Sequence, residues 1–315
     1  IEIFTPLWYT FNTVVNYNFK RHYLKEKGSI MKLQNNGIST TCLKWIALIC
    51  MVFDHVAEFI PYMPIWFRWI GRISAPIFVF CMVEGIKYTK NRKKYLIRLY
   101  TASVIMAVIQ TFTGVSNNYF LPLFCTAFFL KIIIEKTNIK RRIILYITWQ
   151  ILSFLIILSM CYFYDENLIT MKLIPALLGS YMFSESGLFA LIEGLLFYYA
   201  YNNKKRITIL YSVFCGIFAL FSLKAYIPIA LSYIQNIPII GDVISEFIEL
   251  ALMGYFEAFA PIYNGGSPLL DNYQWMQIFA LPVLLYYNGE KGMGMKKFFY
   301  IFYILHICIL WGIST

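Results

Sequence analysis

Apolar stretches close to membrane-crossing length recur along the whole chain, and they constrain the fold more than any other feature. They cover residues 42–62, 66–88, 95–114, 119–136, 142–163, 187–202, 207–225, 273–288 and 297–313. A helix needs about 20 apolar residues to cross a bilayer. Because lipid offers no hydrogen bonds to a bare backbone, a crossing segment must be a helix or a strand of a closed barrel. The stretches are continuous rather than alternating, which predicts helices.

Composition and charge agree with a membrane protein. Charged residues make up only 14% of the chain and hydrophobic residues 60%, whereas soluble domains carry about 25% charged residues. The net charge of +11 comes from short Lys and Arg clusters between the apolar stretches, which is typical of topology signals and not of a nucleic-acid surface. The positive-inside rule places the amino terminus in the cytoplasm of a bacterial cell. We therefore expect an all-α, polytopic integral protein of the cytoplasmic membrane with about nine to eleven transmembrane helices.

The segment 168–186 interrupts the pattern of crossings. It contains Lys172, Pro175 and Gly179, and a full crossing here would place the basic cluster at 204–206 outside. Non-helical backbone at membrane depth is tolerated where it is buried in protein or lines a cavity. This segment is therefore predicted to be a re-entrant or broken helix.

The domain organisation follows from the same pattern. Residues 1–41 are predicted to form an amino-terminal cytoplasmic leader, of which 1–30 begin without Met and resemble a translation-start artefact or a surface helix. Residues 42–315 are predicted to form a single transmembrane domain. Segment 226–270 is interpreted as an outer-face or re-entrant insertion, or as two further crossings, since it carries Glu246, Glu249 and Glu257.

The first apolar stretch contains three ionisable residues, Lys44, Asp54 and His55. Such groups cost a few kcal/mol each inside a bilayer, so they are functional candidates. Lys44 and His55 are eleven residues apart, which is about three helical turns or 16 Å, so they share one helix face. This spacing suits a long ligand that enters at Lys44 and presents its reactive end to the imidazole. A neutral imidazole can accept a proton from an attacking amine or hydroxyl.

The second stretch runs back through the membrane and carries Arg72 and Glu84. Counting from the ends of both stretches places Arg72 at the depth of Asp54, and Glu84 at the depth of Lys44. We expect two charge pairs flanking the His55 face, with Asp54 or another carboxylate orienting the imidazole. Purely structural contacts between helices would also explain both pairs. For Lys44, a second explanation is that its side chain extends along the helix so that the ammonium reaches the lipid headgroups.

Other candidate residues lie further along the chain. His306 is at the middle of the last stretch, where it is interpreted as a substrate contact or as a buried hydrogen-bonding partner. Glu185 and Glu193 are candidate acids for binding an acceptor. The sequence has no GxGxxG, Walker or HExxH motif and no metal-ligand cluster, so no metal is expected. Seven cysteines without CxxC spacing are predicted to pack in the bundle, namely Cys42, Cys50, Cys81, Cys125, Cys161, Cys215 and Cys308.

These residues resemble the TraX family of membrane proteins over residues 42–313, most strongly at the two ends. The first matching stretches are Leu43-Lys44 with Ile46-Ala47, Met51 and Asp54-His55, then Gly71-Arg72-Ile73, Pro76-Ile77-Phe78, Phe80 and Val83-Glu84-Gly85. The others are Thr89, Asn91-Arg92, Lys94-Tyr95 and Arg98-Leu99, then Tyr287-Asn288-Gly289-x-x-Gly292 and Phe299-Tyr300-x-Phe302-Tyr303-x-x-His306.

The resemblance implies an enzymatic activity. The best-known TraX member is implicated in acetylating the amino terminus of F pilin. The family is similar to transmembrane acyltransferases, including the acyltransferase-3 proteins and heparan-α-glucosaminide N-acetyltransferase. In acyltransferase-3 proteins a first-span Arg is followed, after ten intervening residues, by a catalytic His. Lys44 and His55 have this spacing, with Lys in place of Arg, and the two side chains are not equivalent for binding phosphate.

The implied reaction moves an acetyl group from cytoplasmic acetyl-CoA to an amine or hydroxyl acceptor at the outer face, either a pilin-like amino terminus or an envelope glycan. The expected partners are therefore acetyl-CoA, the envelope acceptor and the lipid bilayer, without nucleic acid. The implied roles are catalysis by His55 with Asp54 and Arg72, binding of acetyl-CoA by Lys44, Glu84, Lys94 and Arg98, and binding of the acceptor by His306, Glu185 and Glu193.

Two alternatives from other classes of protein stay open. One is a non-enzymatic protein of envelope or pilus assembly that binds a partner helix through the same charges. The other is a proton-coupled transporter, because intramembrane Asp, His and Glu also form proton relays. A scaffold should tolerate the loss of His55, whereas an acetyltransferase should not.

Overall fold

Helices form every regular element in the part of the chain that the structure, a computed structural model, describes. The described residues are 37–164, 167–181, 183–223, 226–238, 240–242, 244–245, 248 and 267–315. Residues 1–36 of the leader predicted for 1–41 lie outside them, as do three residues singled out in the predicted insertion, Glu246, Glu249 and Glu257.

The helices follow one another with short connections. They are α1 Thr40–Phe59, α2 Trp66–Gly71, α3 Ser74–Tyr88, α4 Arg92–Thr113, α5 Phe120–Glu135 and α6 Ile139–Tyr164. A π-helical turn, Ile169–Leu173, leads into α7 Ile174–Leu178, followed by α8 Phe189–Ala200, α9 Lys204–Leu223 and α10 Tyr226–Gln235. The last elements are α11 Pro268–Asp271, a 3₁₀ segment Tyr273–Phe279, α12 Ala280–Leu285 and α13 Lys296–Ser314.

Four helical segments among the described residues are long and apolar enough to cross a membrane: Trp66–Tyr88, Arg92–Thr113, Ile139–Phe163 and Lys297–Ser314. The prediction of a helical membrane protein is confirmed at this level, but the span count of about nine to eleven is not. Helix α1 has 20 residues but carries Lys44, Asp54 and Glu58, and α5 has only 16 residues. Helix α6 exposes large apolar side chains along its length, as expected for a helix that faces lipid.

The connection between α1 and α2 is dictated by proline and glycine. Helix α1 ends because Pro61 disfavours helical backbone at Ile60, which is extended. The chain then returns so closely that a Cβ on Gly71 would lie 2.3 Å from the Cβ of Asp54. Only glycine at position 71 therefore allows α2 to lie against α1, and this contact brings the charged residues of the two helices together.

The predicted broken helix is confirmed in segment 168–186. Helix α7 ends at Gly179, whose φ of +64° lies in the left-handed region that favours glycine. Side chains of α6 hydrogen-bond to the exposed backbone: the indole Nε1 of Trp149 donates to the carbonyl of Leu178 (2.9 Å), and Nε2 of Gln150 donates to the carbonyl of Gly179 (3.0 Å). The N–H of Tyr181 donates to Oε1 of Gln150 (2.7 Å). Protein side chains thus satisfy these groups of the broken backbone, as required at membrane depth.

The loop before α13 is tied to the start of α1. The N–H of Thr40 donates to the carbonyl of Glu290 (2.8 Å), and Oγ1 of Thr41 donates to the carbonyl of Met293 (2.7 Å). A side chain on Gly292, which has φ +72°, would contact Oγ of Ser39 at 2.5 Å. These contacts place α13 beside α1, and the first and last helices of the described domain together frame the candidate site.

Candidate functional site

Two histidines from opposite ends of the chain meet inside the bundle. Nδ1 of His55 on α1 lies 2.7 Å from Nε2 of His306 on α13, across 251 residues of sequence. Both residues are 7% exposed. The ring centroids are 4.9 Å apart with an interplanar angle of 15°, as expected for rings joined by an in-plane hydrogen bond. Nδ1 of His306 is 3.0 Å from the carbonyl oxygen of Phe302, one turn earlier on α13.

A charged cluster lies beside the histidine pair. Nη2 of Arg72 contacts both carboxylate oxygens of Asp54, at 2.7 and 2.6 Å, and Nη1 of Arg68 lies 3.3 Å from Oδ1. Arg72 also donates to Oε1 of Gln274 (3.1 Å). The predicted pairing of Asp54 with Arg72 is therefore formed.

Among the described residues no hydrogen bond joins Asp54 to the imidazole, so the predicted orienting role of Asp54 has no direct contact to support it and stays a prediction. Asp54 and His55 are neighbours on α1, so their side chains point about 100° apart around the helix. The carboxylate is taken up by two arginines, whereas the imidazole contacts His306. Asp54 and Arg72 thus form an ion pair next to the candidate site.

A cavity of about 580 Å³ lies between α1, α3, α4, α5 and α13. Its lining runs along α1 from Thr40 through Lys44 and Leu48 to Met51, a length of about 16 Å. The wall is mainly apolar and includes Phe78, Cys81, Met82, Leu99, Phe120, Leu123 and Phe299. A channel of this length and character suits a narrow, extended ligand.

The cavity ends one helical turn short of the histidines. Met51 precedes His55 by one turn, and Tyr303 stands edge-on to both imidazoles, with centroids 6.4 Å from His55 and 5.5 Å from His306. The Tyr303 hydroxyl donates to the carbonyl of Asn117 (3.4 Å) and accepts from the N–H of Tyr119 (3.2 Å). Met51 and Tyr303 therefore form a layer between the cavity and the histidine pair.

The predicted pair of Lys44 with Glu84 is not formed, although both residues line the cavity. Glu84 accepts hydrogen bonds from the hydroxyls of Tyr201 (2.6 Å) and Tyr287. Among the described residues Lys44 has no ion-pair partner, and its ammonium lies 5.8 Å from the ring centroid of Phe299. Sequence depth predicted the level of the two residues correctly but could not reveal the tyrosines that compete for the carboxylate.

The other predicted cations separate into one that lines the cavity and one that does not. Arg98 lines it, packs 5.6 Å from the ring centroid of Tyr95, and has a buried Nε without a hydrogen-bond partner. Lys94 is exposed at the start of α4 and is absent from the lining, so this cavity does not support its predicted role in binding acetyl-CoA, which stays a prediction. Lys291, from the loop tied to α1, lines the cavity instead. The glycine-containing motif at 287–292 is the sequence feature from which this loop could have been identified as part of the site.

The two predicted acceptor acids lie outside the cavity. Oε1 of Glu185 accepts from the backbone N–H of Asn118 and from Nε2 of Gln110 (3.3 Å). Asn118 follows Asn117, whose carbonyl contacts Tyr303, so Glu185 lies near the tyrosine that packs against both histidines. By contrast, Glu193 on α8 is 1% exposed and faces α9, and its Oε1 has no hydrogen-bond partner. The structure therefore does not bring Glu193 to the candidate site.

Metal chemistry has no candidate centre in the part of the chain that the structure describes, where no three His, Cys, Asp or Glu side chains are clustered. All seven cysteines are free thiols. Of these, Cys81 lines the cavity. The site therefore combines an imidazole pair, an apolar channel and cations for which the described residues provide no ion-pair partner.

The fold and site define an integral membrane protein whose helical bundle holds a histidine pair beyond a cavity with cations at one end. The chain belongs to the TraX family: the family model described as "TraX protein" matches residues 39–314. The match covers both helices that carry the histidines.

The chain is also similar to a curated protein of Dichelobacter nodosus named "Probable fimbrial assembly protein FimC, serogroup H1". The two are 26% identical over 213 residues, which cover 55% of this chain and 87% of the relative. No solved structure matches the chain.

Proposed function

We propose that this chain acts as an integral membrane protein in the assembly of surface fimbriae, and that its reaction is acetyl transfer. TraX family membership and the similarity to the Dichelobacter nodosus protein support the assembly role. The acetyl transfer rests on one observation, the cavity that begins among cations without an ion-pair partner in the described part of the chain and ends one helical turn from the histidine pair.

The lining of the cavity fits acetyl-CoA as the donor substrate. Lys44, Arg98 and Lys291 supply positive charge for the phosphates. Among the described lining residues Glu84 is the one carboxylate, and both its oxygens already accept from tyrosines. The apolar channel of about 16 Å is long enough for an extended pantetheine arm. We place the Thr40 end of α1 in the cytoplasm, as the loop charges predict.

The layer between the cavity and the imidazole must open for the reaction. Tyr303 is held by two hydrogen bonds to the backbone. Met51 is unbranched, with three rotatable bonds, and is the side chain that can move aside at low cost. A change of the Met51 rotamer would join the channel to His55.

The chemistry assigned to His55 is that of a general base. The acceptor, an amine or hydroxyl from the opposite face, transfers its proton to the imidazole as its N or O forms a bond to the acetyl carbonyl carbon. The C–S bond of the thioester then breaks, and the imidazolium returns the proton to the departing sulfur. The products are the acetylated acceptor and CoA.

The test is release of free CoA by purified protein in nanodiscs, supplied with acetyl-CoA and a primary amine. We expect release by the wild type and loss of release in His55→Ala. Lys44→Ala should raise the KM for acetyl-CoA more than Lys44→Arg does, because Arg keeps the charge. The matched control is Cys50→Ala, a buried residue of the same helix outside the cavity lining. Equal release from wild type and His55→Ala would refute the assigned reaction.

Complementation separates the reaction from the assembly role. In a strain of the source organism lacking the chain, electron microscopy would count fimbriae restored by wild type and by His55→Ala. Restoration by both would favour a scaffold that needs no imidazole. Restoration by neither protein would refute the assembly role itself.

A further inference from the structure

The histidine pair is the last step of a hydrogen-bond chain that starts at a backbone carbonyl. The chain runs from the carbonyl oxygen of Phe302 to Nδ1 of His306 (3.0 Å), and from Nε2 of His306 to Nδ1 of His55 (2.7 Å). The ring of Phe302 lies parallel to His306 at 12° with centroids 5.5 Å apart, and Tyr303 is perpendicular to the same ring at 80°. The orientation of His306 is thereby restricted on two sides.

The position of each proton follows from which atoms can only accept. A carbonyl oxygen carries no hydrogen, so Nδ1 of His306 must donate to it. A neutral imidazole has one N–H, which leaves Nε2 of His306 as an acceptor. Nδ1 of His55 must therefore carry the hydrogen of the bond between the rings. The lone pair of His55 is consequently on Nε2.

We infer that His306 is a positioning residue that holds His55 in the Nδ1–H tautomer and makes Nε2 the basic atom. The inference rests on the proposed function for its catalytic meaning, whereas the tautomer can be tested without any activity. Asp54 does not compete for this role, because Arg72 and Arg68 occupy its carboxylate. In this arrangement His306 replaces the carboxylate that orients the base in many catalytic histidines.

The arrangement also stabilises the charged intermediate. When Nε2 of His55 takes the acceptor's proton, the Nδ1–H of the imidazolium still donates to neutral His306. A hydrogen bond from a charged donor is about twice as strong as a neutral one. Loss of the acceptor on His306 should therefore lower kcat by about 10- to 100-fold. The KM for acetyl-CoA should stay unchanged, since His306 is not part of the cavity lining.

Two substitutions at position 306 separate the hydrogen bond from simple packing. His306→Gln offers an amide oxygen that can accept from Nδ1 of His55, and His306→Phe fills the space without an acceptor. The tautomers are read by NMR of protein labelled with nitrogen-15 histidine. In a His22→Gln background, the only histidine signals come from His55 and His306. Thermal unfolding of each variant shows whether the fold is retained.

The expected spectrum of wild type and His306→Gln shows His55 with a protonated Nδ1 and a bare Nε2. In His306→Phe this preference should be lost, and kcat should fall while His306→Gln retains most of it. A wild-type His55 protonated on Nε2 would overturn the inference. The inference would also be overturned if the tautomer of His55, or kcat, were the same in His306→Phe as in wild type. If the wild type shows the predicted tautomer but releases no CoA, the result supports the inferred positioning of His55 and refutes only the proposed reaction.

Discussion

Replacement of Asp54 by Asn should destabilise the bundle by several kcal/mol, because it removes the counter-charge of two partly buried arginines. The side chains of Asp54 and Arg72 are 14% and 21% exposed, and they meet at 2.6 Å. Arg68 adds a second contact to the same carboxylate at 3.3 Å. The substitution keeps the size of the side chain, so packing against Gly71 is preserved.

The magnitude follows from the geometry of the pair. Two unit charges about 4 Å apart interact by about 4 kcal/mol at an effective dielectric constant of about 20. Removing one partner of a buried pair costs about 3–5 kcal/mol, since the other charge is left uncompensated. Arg68 keeps Glu58 at 3.3 Å and Arg72 keeps Gln274 at 3.1 Å, so we expect a loss near the lower end, about 3 kcal/mol.

Reversible unfolding in mixed micelles, followed by tryptophan fluorescence, measures the loss. The double variant Asp54→Asn/Arg72→Gln removes both charges and should be more stable than the sum of the two single losses predicts. A coupling energy of about 2–3 kcal/mol is expected. A loss below about 1 kcal/mol for Asp54→Asn, or strictly additive single losses, would contradict the idea that the two partly buried charges depend on each other.

Two further predictions test the packing and the cavity. Gly71→Ala should destabilise the protein by about 1–3 kcal/mol in the same unfolding assay, because its Cβ would overlap Asp54, whereas Gly216→Ala should be neutral because that position faces open space. Cys81 should react with a small methanethiosulfonate reagent, and saturating CoA should slow the reaction several-fold, whereas Cys125, which is 1% exposed and outside the cavity lining, should stay unlabelled. Labelling of Cys81 at the same rate with and without CoA would refute the assignment of the cavity to this ligand.

Local features of the sequence predicted the helices and one of the two charge pairs. Hydropathy and the length of an apolar stretch are properties of contiguous residues, so they are visible without tertiary contacts. The pairing of Asp54 with Arg72 was also predictable, because a short turn joins their helices and fixes the relative depth of the two residues. The break near Pro175 and Gly179 was predictable from residues that disfavour a continuous helix.

Depth alone could not predict which side chains compete for one partner. Lys44 and Glu84 are at similar depth, yet Glu84 accepts from Tyr201 and Tyr287, which come from distant parts of the chain. In the same way, Glu193 looked like a site residue because it is an intramembrane acid. The rotation of α8 points it away from the cavity, and that rotation depends on packing against neighbouring helices.

The sequence by itself determined that the chain is helical and membrane-embedded, and it singled out His55 and His306 as intramembrane histidines. Only the tertiary structure decided that the two rings touch, that Lys291 lines the cavity, and that Met51 and Tyr303 separate the cavity from the imidazoles. The physical reason is that helix formation depends on neighbouring residues, whereas contacts between helices depend on how side chains from remote segments fit together. A bond across 251 residues has no signature in the spacing of either helix.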